Sequence, residues 1–198
     1  VCEAWAVLNR SSMRLYMMIS EMMDYTKSRE PDLQNMDLQA LVDEVIEHLQ
    51  VISPDSIVME SEVALKARFV KLDPLWMFRI LINLGHNALE AMENGGRLWI
   101  QADMQTLVWP LPETGEPEPP GPSQPGRLAL VIEVGDTGTG IEPHHFQRLF
   151  EPLFSTKGLK GTGLGLPCVK EFTERMGGVI RVKTEPGHGT VFTLYFPQ

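Results

Sequence analysis

Three short patterns carry the residues whose types and spacing can do chemistry. Asn83 and Asn87 stand four apart, Asp136-Thr137-Gly138-Thr139-Gly140-Ile141 joins a carboxylate to glycines, and Gly161-Thr162-Gly163-Leu164-Gly165 is a glycine run. Residues four apart share one helix face, so Asn83 and Asn87 can offer two amide oxygens to one ligand, and such oxygens suit a magnesium ion carried on phosphates. Helical asparagines are also commonly just solvated. A carboxylate such as that of Asp136 accepts hydrogen bonds and donates none, which suits the exocyclic amine of adenine, and glycines let backbone lie close to a flat base. A plain Asp-Gly turn is the alternative reading of the same hexapeptide. Glycine-rich backbone ahead of a helix offers amide donors and a favourable dipole to phosphates. The spacing of Gly161 to Gly165 is neither the dinucleotide fingerprint nor the P-loop, and those two folds are set aside.

The flanking sequence predicts the elements that would hold these residues. Asp37 is placed to cap a helix whose Leu38, Leu41, Val42, Val45, Ile46 and Leu49 share one face. Asp73-Pro74 opens the helix that carries Asn83 and Asn87, with proline at the tolerated first position, and Asn94-Gly95-Gly96 stops it. Strands are expected over Ser56 to Val63, Arg97 to Met104, Leu128 to Val134, Val179 to Lys183 and Thr190 to Phe196. A short helix is expected over Pro143 to Glu151, and a longer one over Leu164 to Met176, closed by Gly177-Gly178. This order points to a two-layer α/β sandwich with helices on one face of a mixed sheet. Val108 to Gly126 holds seven prolines and reads as an extended loop, a spacer between two strands that still need each other.

Ahead of this domain, Trp5, Leu8, Ser12, Leu15, Ile19, Met22 and Thr26 alternate in steps of three and four. That is the seam of a coiled coil or a two-helix hairpin, or else of an ordinary core helix, and Pro31 ends it. The division expected is one long helix over residues 1–32 and one compact domain over 33–198. A length of 198 residues suits a single core. The net charge of -9 argues against a general nucleic-acid grip, which needs a basic face. Only Cys2 and Cys168 are present, far apart, which argues against a disulfide framework and suits the cytoplasm. No run approaches the roughly 20 apolar residues of a membrane span, so any anchor is expected outside this sequence. The chain begins inside a helical pattern, and an upstream continuation is expected.

In this order, the three patterns resemble the GHKL superfamily of ATP-binding domains, in particular sensor histidine kinases. Asn83 to Ala91 looks like the family's N box, Asp136 to Gly140 its first glycine box, Phe150-Glu151-Pro152-Leu153-Phe154 its F box and Gly161 to Gly165 its second glycine box. Gly187-His188-Gly189-Thr190 is similar to the closing glycine-threonine element, and Trp5 to Arg29 to the second helix of the dimerisation hairpin. The run from Phe150 to Lys157 looks most like the nitrogen-regulation subgroup. The resemblance implies a Bergerat-type fold that binds ATP with Mg2+. Asn87 would ligate the metal and Asn83 line the same site. Asp136 would accept the adenine amine, Gly138, Gly140 and Ile141 would shape the base pocket, and Thr190 would support it. Gly161, Thr162, Gly163, Leu164 and Gly165 would border the phosphates, with Lys157 and Lys160 supplying positive charge. Glu90 stands where many members carry a basic residue, which shifts weight onto Lys157.

The resemblance further implies transfer of the terminal phosphate to a histidine and relay to a response-regulator receiver domain, in a homodimer formed through the N-terminal helix. Relatives that hydrolyse ATP place a glutamate at the position of Asn83, where it serves as general base. An amide cannot accept that proton. None of His48, His86, His144, His145 and His188 is followed by an acidic residue, so the phosphoacceptor is expected outside the chain. A nucleotide-binding regulatory module without transfer activity is the alternative.

Overall fold

The computed structural model describes residues 29–112, 117, 119, 125–156 and 162–198. The expected N-terminal helix therefore falls almost entirely outside the described residues, as do Lys157, Lys160 and Gly161, and residues 29–32 are not helical. The chain runs β1 (Gln34–Asp37), α1 (Leu38–Ile52), β2 (Ile57–Val63), a 3-10 turn (Leu65–Ala67), β3 (Phe69–Leu72), α2 (Pro74–Ala91), β4 (Gly96–Val108) and β5 (Gly126–Asp136). Then follow α3 (Pro143–Phe146), α4 (Gly165–Arg175), β6 (Val179–Glu185) and β7 (Gly189–Pro197). Five strands form one sheet in the order β2-β4-β5-β7-β6, while β1 and β3 pair separately. Only β2 and β4 run parallel in the large sheet. Among the described residues no helix is long and apolar enough to cross a membrane.

Both long helices start where the sequence supplies a cap. Asp37 accepts from the amides of Gln39 at 3.1 Å and Ala40 at 3.3 Å, and from Arg68 at 2.9 Å. The Arg68 guanidinium holds the Asp37 carboxyl below its ordinary value, so this cap is charged at neutral pH and is lost only as pH falls through that lowered value. Asp73, fully buried, accepts from the Trp76 amide at 3.1 Å, the Asp32 amide at 2.8 Å and Arg29 at 3.3 Å. One carboxylate thus caps α2 and ties the incoming chain to it. Gly85 lets α2 cross α1 closely, since a Cβ there would lie 2.4 Å from Leu49 Cδ1.

The main core lies between helices and sheet. Ile100, Ala102 and Met104 of β4 stand opposite Val134, Ile132 and Leu130 of β5, all buried beneath Leu81, Leu84 and Ala88 of α2. β4 and β5 run further than expected, because their pairing continues without interruption from Leu98↔Asp136 to Val108↔Gly126. β1 and β3 are strands the sequence did not suggest; at four residues each they are too short to show alternation.

The spacer expectation for Val108 to Gly126 is corrected at its beginning. Leu107 and Leu111, with Trp109 beside them, form a second apolar cluster with Ala129, Val131 and Tyr195. These residues occupy the sheet face opposite the helices, and Arg181 of β6 donates to the carbonyl of Pro112. Replacing residues 108–126 with a short turn should cost on the order of 2–3 kcal/mol, the burial of one to two apolar side chains. Thermal unfolding of that variant should fall by about 5–10 °C. Its nucleotide affinity should stay unchanged, because the cluster lies on the far side of the sheet.

Candidate functional site

At one end of the sheet, Thr184 of β6, Thr190 of β7, Asp136 of β5 and Leu98 of β4 lie side by side in register. Leu98 is in the helix-side core, so the row faces the helices. Asp136 and Thr190 are both only 5% exposed, so their polar groups need partners inside the protein or on a ligand. The Gly138 amide donates to Asp136 Oδ1 at 2.8 Å. A carboxylate offers about four acceptor sites, so this bond orients it without exhausting it.

The loop after Asp136 is pinned on two sides. The Thr139 amide donates to Ala91 O at 3.1 Å, and a Cβ on Gly138 would lie 2.6 Å from that same carbonyl. On the other side Gly187 N donates to Thr139 O at 2.8 Å, and a Cβ on Gly140 would lie 2.3 Å from Glu185 O. Gly140 also has φ +67, a left-handed conformation that favours glycine. The loop is therefore wedged between the end of α2 and the β6–β7 turn. The Gly138 amide bond to Asp136 is itself an Asx-turn contact, and the loop around it is fixed on both sides.

Asn83 and Asn87 are half-buried on α2. They share a stripe with Trp76, seven and eleven residues earlier, and Trp76 stacks on Phe172 of α4 at 4.8 Å. The asparagine face is thus turned toward α4, and the same helix ends against Gly138. At the start of α4, the Leu164 amide donates to Thr162 Oγ1 at 3.1 Å, and Gly163 adopts φ +67. Leu153 N donates to Gly163 O at 2.9 Å, joining the two ends of the segment between the F-box run and the second glycine run. Leu153 itself has φ 65, a strained value for a residue with a side chain, as sites that must hold an unusual backbone often show.

Of the expected residues, Asp136 bonds Gly138 and pairs with Thr190 across β5 and β7, Ile141 reaches Thr190 through Thr184, and Gly140 lies against Glu185. Asn83 and Asn87 reach them through α2, while Thr162, Gly163, Leu164 and Gly165 lie at the head of α4. Lys157, Lys160 and Gly161 lie outside the described residues. Glu90 is exposed. His188 is also exposed and lies 3.5 Å from Glu185. Sequence reasoning missed Thr184. Its hydroxyl accepts from the Ile141 amide at 2.9 Å, contacts Gly189 O at 3.0 Å and Thr190 Oγ1 at 3.0 Å. A single threonine in a strand carries no local signal, and only the register with Thr190 reveals it.

Residues 72–198 match the family described as histidine kinase-, DNA gyrase B-, and HSP90-like ATPase. The sensor histidine kinase ZraS of Salmonella typhimurium is 30% identical over 196 residues, which cover 96% of this chain and 37% of that protein. The sensor kinase CckA of Brucella abortus is 36% identical over 137 residues, covering 65% of this chain and 13% of the relative. This chain therefore spans well under half the length of either. Among solved structures, full-length ShkA in complex with AMPPNP superposes with a TM-score of 0.70 over 98% of this chain and 38% of its own, at 22% identity. The nucleotide-free catalytic domain of the histidine kinase ThkA gives a TM-score of 0.62 at 26% identity, covering 84% of this chain and 97% of that domain.

Proposed function

Because this chain belongs to the histidine kinase-, DNA gyrase B-, and HSP90-like ATPase family, we propose that it is the ATP-holding catalytic part of a two-component sensor histidine kinase. The observation that carries this reading is the buried Asp136, oriented by the Gly138 amide beside Thr190 and facing the helix that bears Asn83 and Asn87. Asp136 recognises the adenine amine. Gly138, Gly140 and Ile141 shape the base pocket. Thr162 to Gly165 lead into α4, whose N-terminal dipole end favours the phosphates. Positive charge at Lys157 and Lys160 completes the phosphate side, since Glu90 supplies none. The likeness of the run Phe150 to Lys157 to the F box of the nitrogen-regulation subgroup supports assigning the chain there.

The donor set fits a magnesium ion held mainly by nucleotide phosphates. Among the described residues no group of three or more His, Cys, Asp or Glu side chains is arranged as a cage of its own, and Asn87 offers a neutral oxygen. Magnesium is commonly shared in this way between one or two protein oxygens and substrate phosphates, whose charge it offsets. Asn87→Ala should therefore weaken ATP binding about tenfold in the presence of magnesium, the loss of one charge-assisted contact. That defect should shrink when magnesium is withdrawn, and titration under both conditions checks it. An equal defect would mark Asn87 as merely structural.

Transfer requires a nucleophile in line with the terminal phosphate. The acceptor histidine is supplied from outside these residues, and the phosphoryl group passes on to an aspartate of a response-regulator receiver domain. Pairing of two chains through the N-terminal segment, residues 1–32, would bring acceptor and nucleotide together. An amide at Asn83 favours this route over hydrolysis, since it cannot serve as general base for water. The test is incubation with radiolabelled ATP of this chain and of a longer one carrying the upstream helix. Acid-labile, base-stable label on the longer chain alone is expected. Label on the short chain would refute the external acceptor, and no label on the longer one would favour a regulatory nucleotide-binding module.

A further inference from the structure

Proton accounting around Thr184 determines which way a hydroxyl points in the base pocket. A threonine hydroxyl has one proton to donate and two lone pairs. The Thr184 oxygen has three partners: the Ile141 amide at 2.9 Å, Gly189 O at 3.0 Å and Thr190 Oγ1 at 3.0 Å. The Ile141 amide can only donate. The Gly189 carbonyl can only accept, so it takes the single Thr184 proton. The one arrangement that satisfies all three contacts makes Thr190 the donor to Thr184. Thr190, being 5% exposed, thereby directs its proton into the protein and keeps only lone pairs for the adjoining Asp136 side of the row.

We propose that Thr184 is a specificity-positioning residue: by accepting the Thr190 proton it leaves Thr190 and Asp136 presenting acceptors alone, so that the pocket takes a 6-aminopurine and rejects a 6-oxopurine. This rests on the nucleotide reading above. Adenine brings two N–H donors at its 6-position, which acceptors satisfy. Guanine brings a carbonyl oxygen there, whose lone pairs would meet the lone pairs of Asp136 and Thr190 with no proton between them. Thr184 touches no base in this arrangement. It acts through Thr190, and through Ile141, whose amide it anchors beside the first glycine box. The register Thr184↔Thr190↔Asp136 keeps the three side chains on one face across β6, β7 and β5.

The test measures ADP and GDP affinities of the whole 198-residue chain as wild type, Thr184→Val, Thr184→Ser and Thr184→Val/Thr190→Val. Valine keeps the shape of threonine and removes the hydroxyl, which frees the Thr190 proton to turn toward the base. The ratio of ADP to GDP affinity should fall about tenfold in Thr184→Val, the worth of a donor turned against a donor. Thr184→Ser should restore the ratio. The double variant should regain part of the discrimination lost in Thr184→Val, because no Thr190 proton is then left to meet the adenine amine, and a double variant as poor as Thr184→Val would overturn the assignment. A purely structural role for Thr184 would weaken both nucleotides together and leave the ratio within about twofold, and that result would overturn the assignment while ADP binding stood. Absence of ADP binding by the wild type would overturn the nucleotide reading and this assignment with it.

Discussion

Gly189→Ala is expected to abolish measurable adenine-nucleotide binding and to destabilise the domain. A Cβ at this position would lie 1.9 Å from the carbonyl oxygen of Asp136 and 2.8 Å from its carbon, distances that only a backbone shift can relieve. The same residue has φ +103, which a side chain rarely adopts. Relief on both counts moves the start of β7 away from the end of β5. That separates Thr190 from Asp136, the strand pairing on which the proposed base pocket rests. Strain and overpacking together should cost about 3 kcal/mol or more, and ADP affinity should fall at least 100-fold. Gly187→Ala is the matched control. Gly187 also has positive φ, +80, but a Cβ there meets nothing within 4 Å. It should lose only about 1–2 kcal/mol of stability, with ADP affinity retained. Thermal unfolding and ADP titration of both variants check the pair, and near-wild-type binding by Gly189→Ala would remove the close strand junction from the account of the site.

Asp136→Asn should weaken ADP binding about 10- to 100-fold, as expected for losing a charge-assisted hydrogen bond of about 1.5–3 kcal/mol. The Gly138 amide makes the outcome directional. At 2.8 Å from Oδ1 it demands an acceptor, so the new side chain must give its oxygen to Gly138 and turn its amide nitrogen elsewhere. The pocket then offers donors where the adenine amine also offers donors. A purine carbonyl would be better received, and the preference for ADP over GDP should narrow or reverse. Unchanged ADP affinity, or equal losses for both nucleotides, would show that Asp136 does not face the base.

The sequence made much of this legible where the signal is local. Asp37 and Asp73-Pro74 announced α1 and α2 because helix caps act within three residues of the side chain that makes them. Asp136 and the glycines after it were legible for the same reason: the bond to Gly138 spans two residues. What stayed hidden depends on distant pairing. Thr184 meets Thr190 across a turn and Ile141 across 43 residues, and nothing in Val182-Lys183-Thr184-Glu185 foretells either. The second apolar cluster was hidden because proline density at 108–126 spoke only of what that segment could not form. Leu111 against Val131 and Tyr195 is a tertiary contact, which composition does not record. The short pair β1 and β3 was lost likewise, its pairing of Gln34 with Leu72 being set by the fold around it.

The most direct measurement is a calorimetric titration of ADP and ATP into the 198-residue chain, with and without magnesium. Saturable binding at a single site is expected, tighter with magnesium, selective for adenine over guanine, and lost in Gly189→Ala. Absence of any adenine-nucleotide binding at millimolar concentration by the folded chain would contradict it.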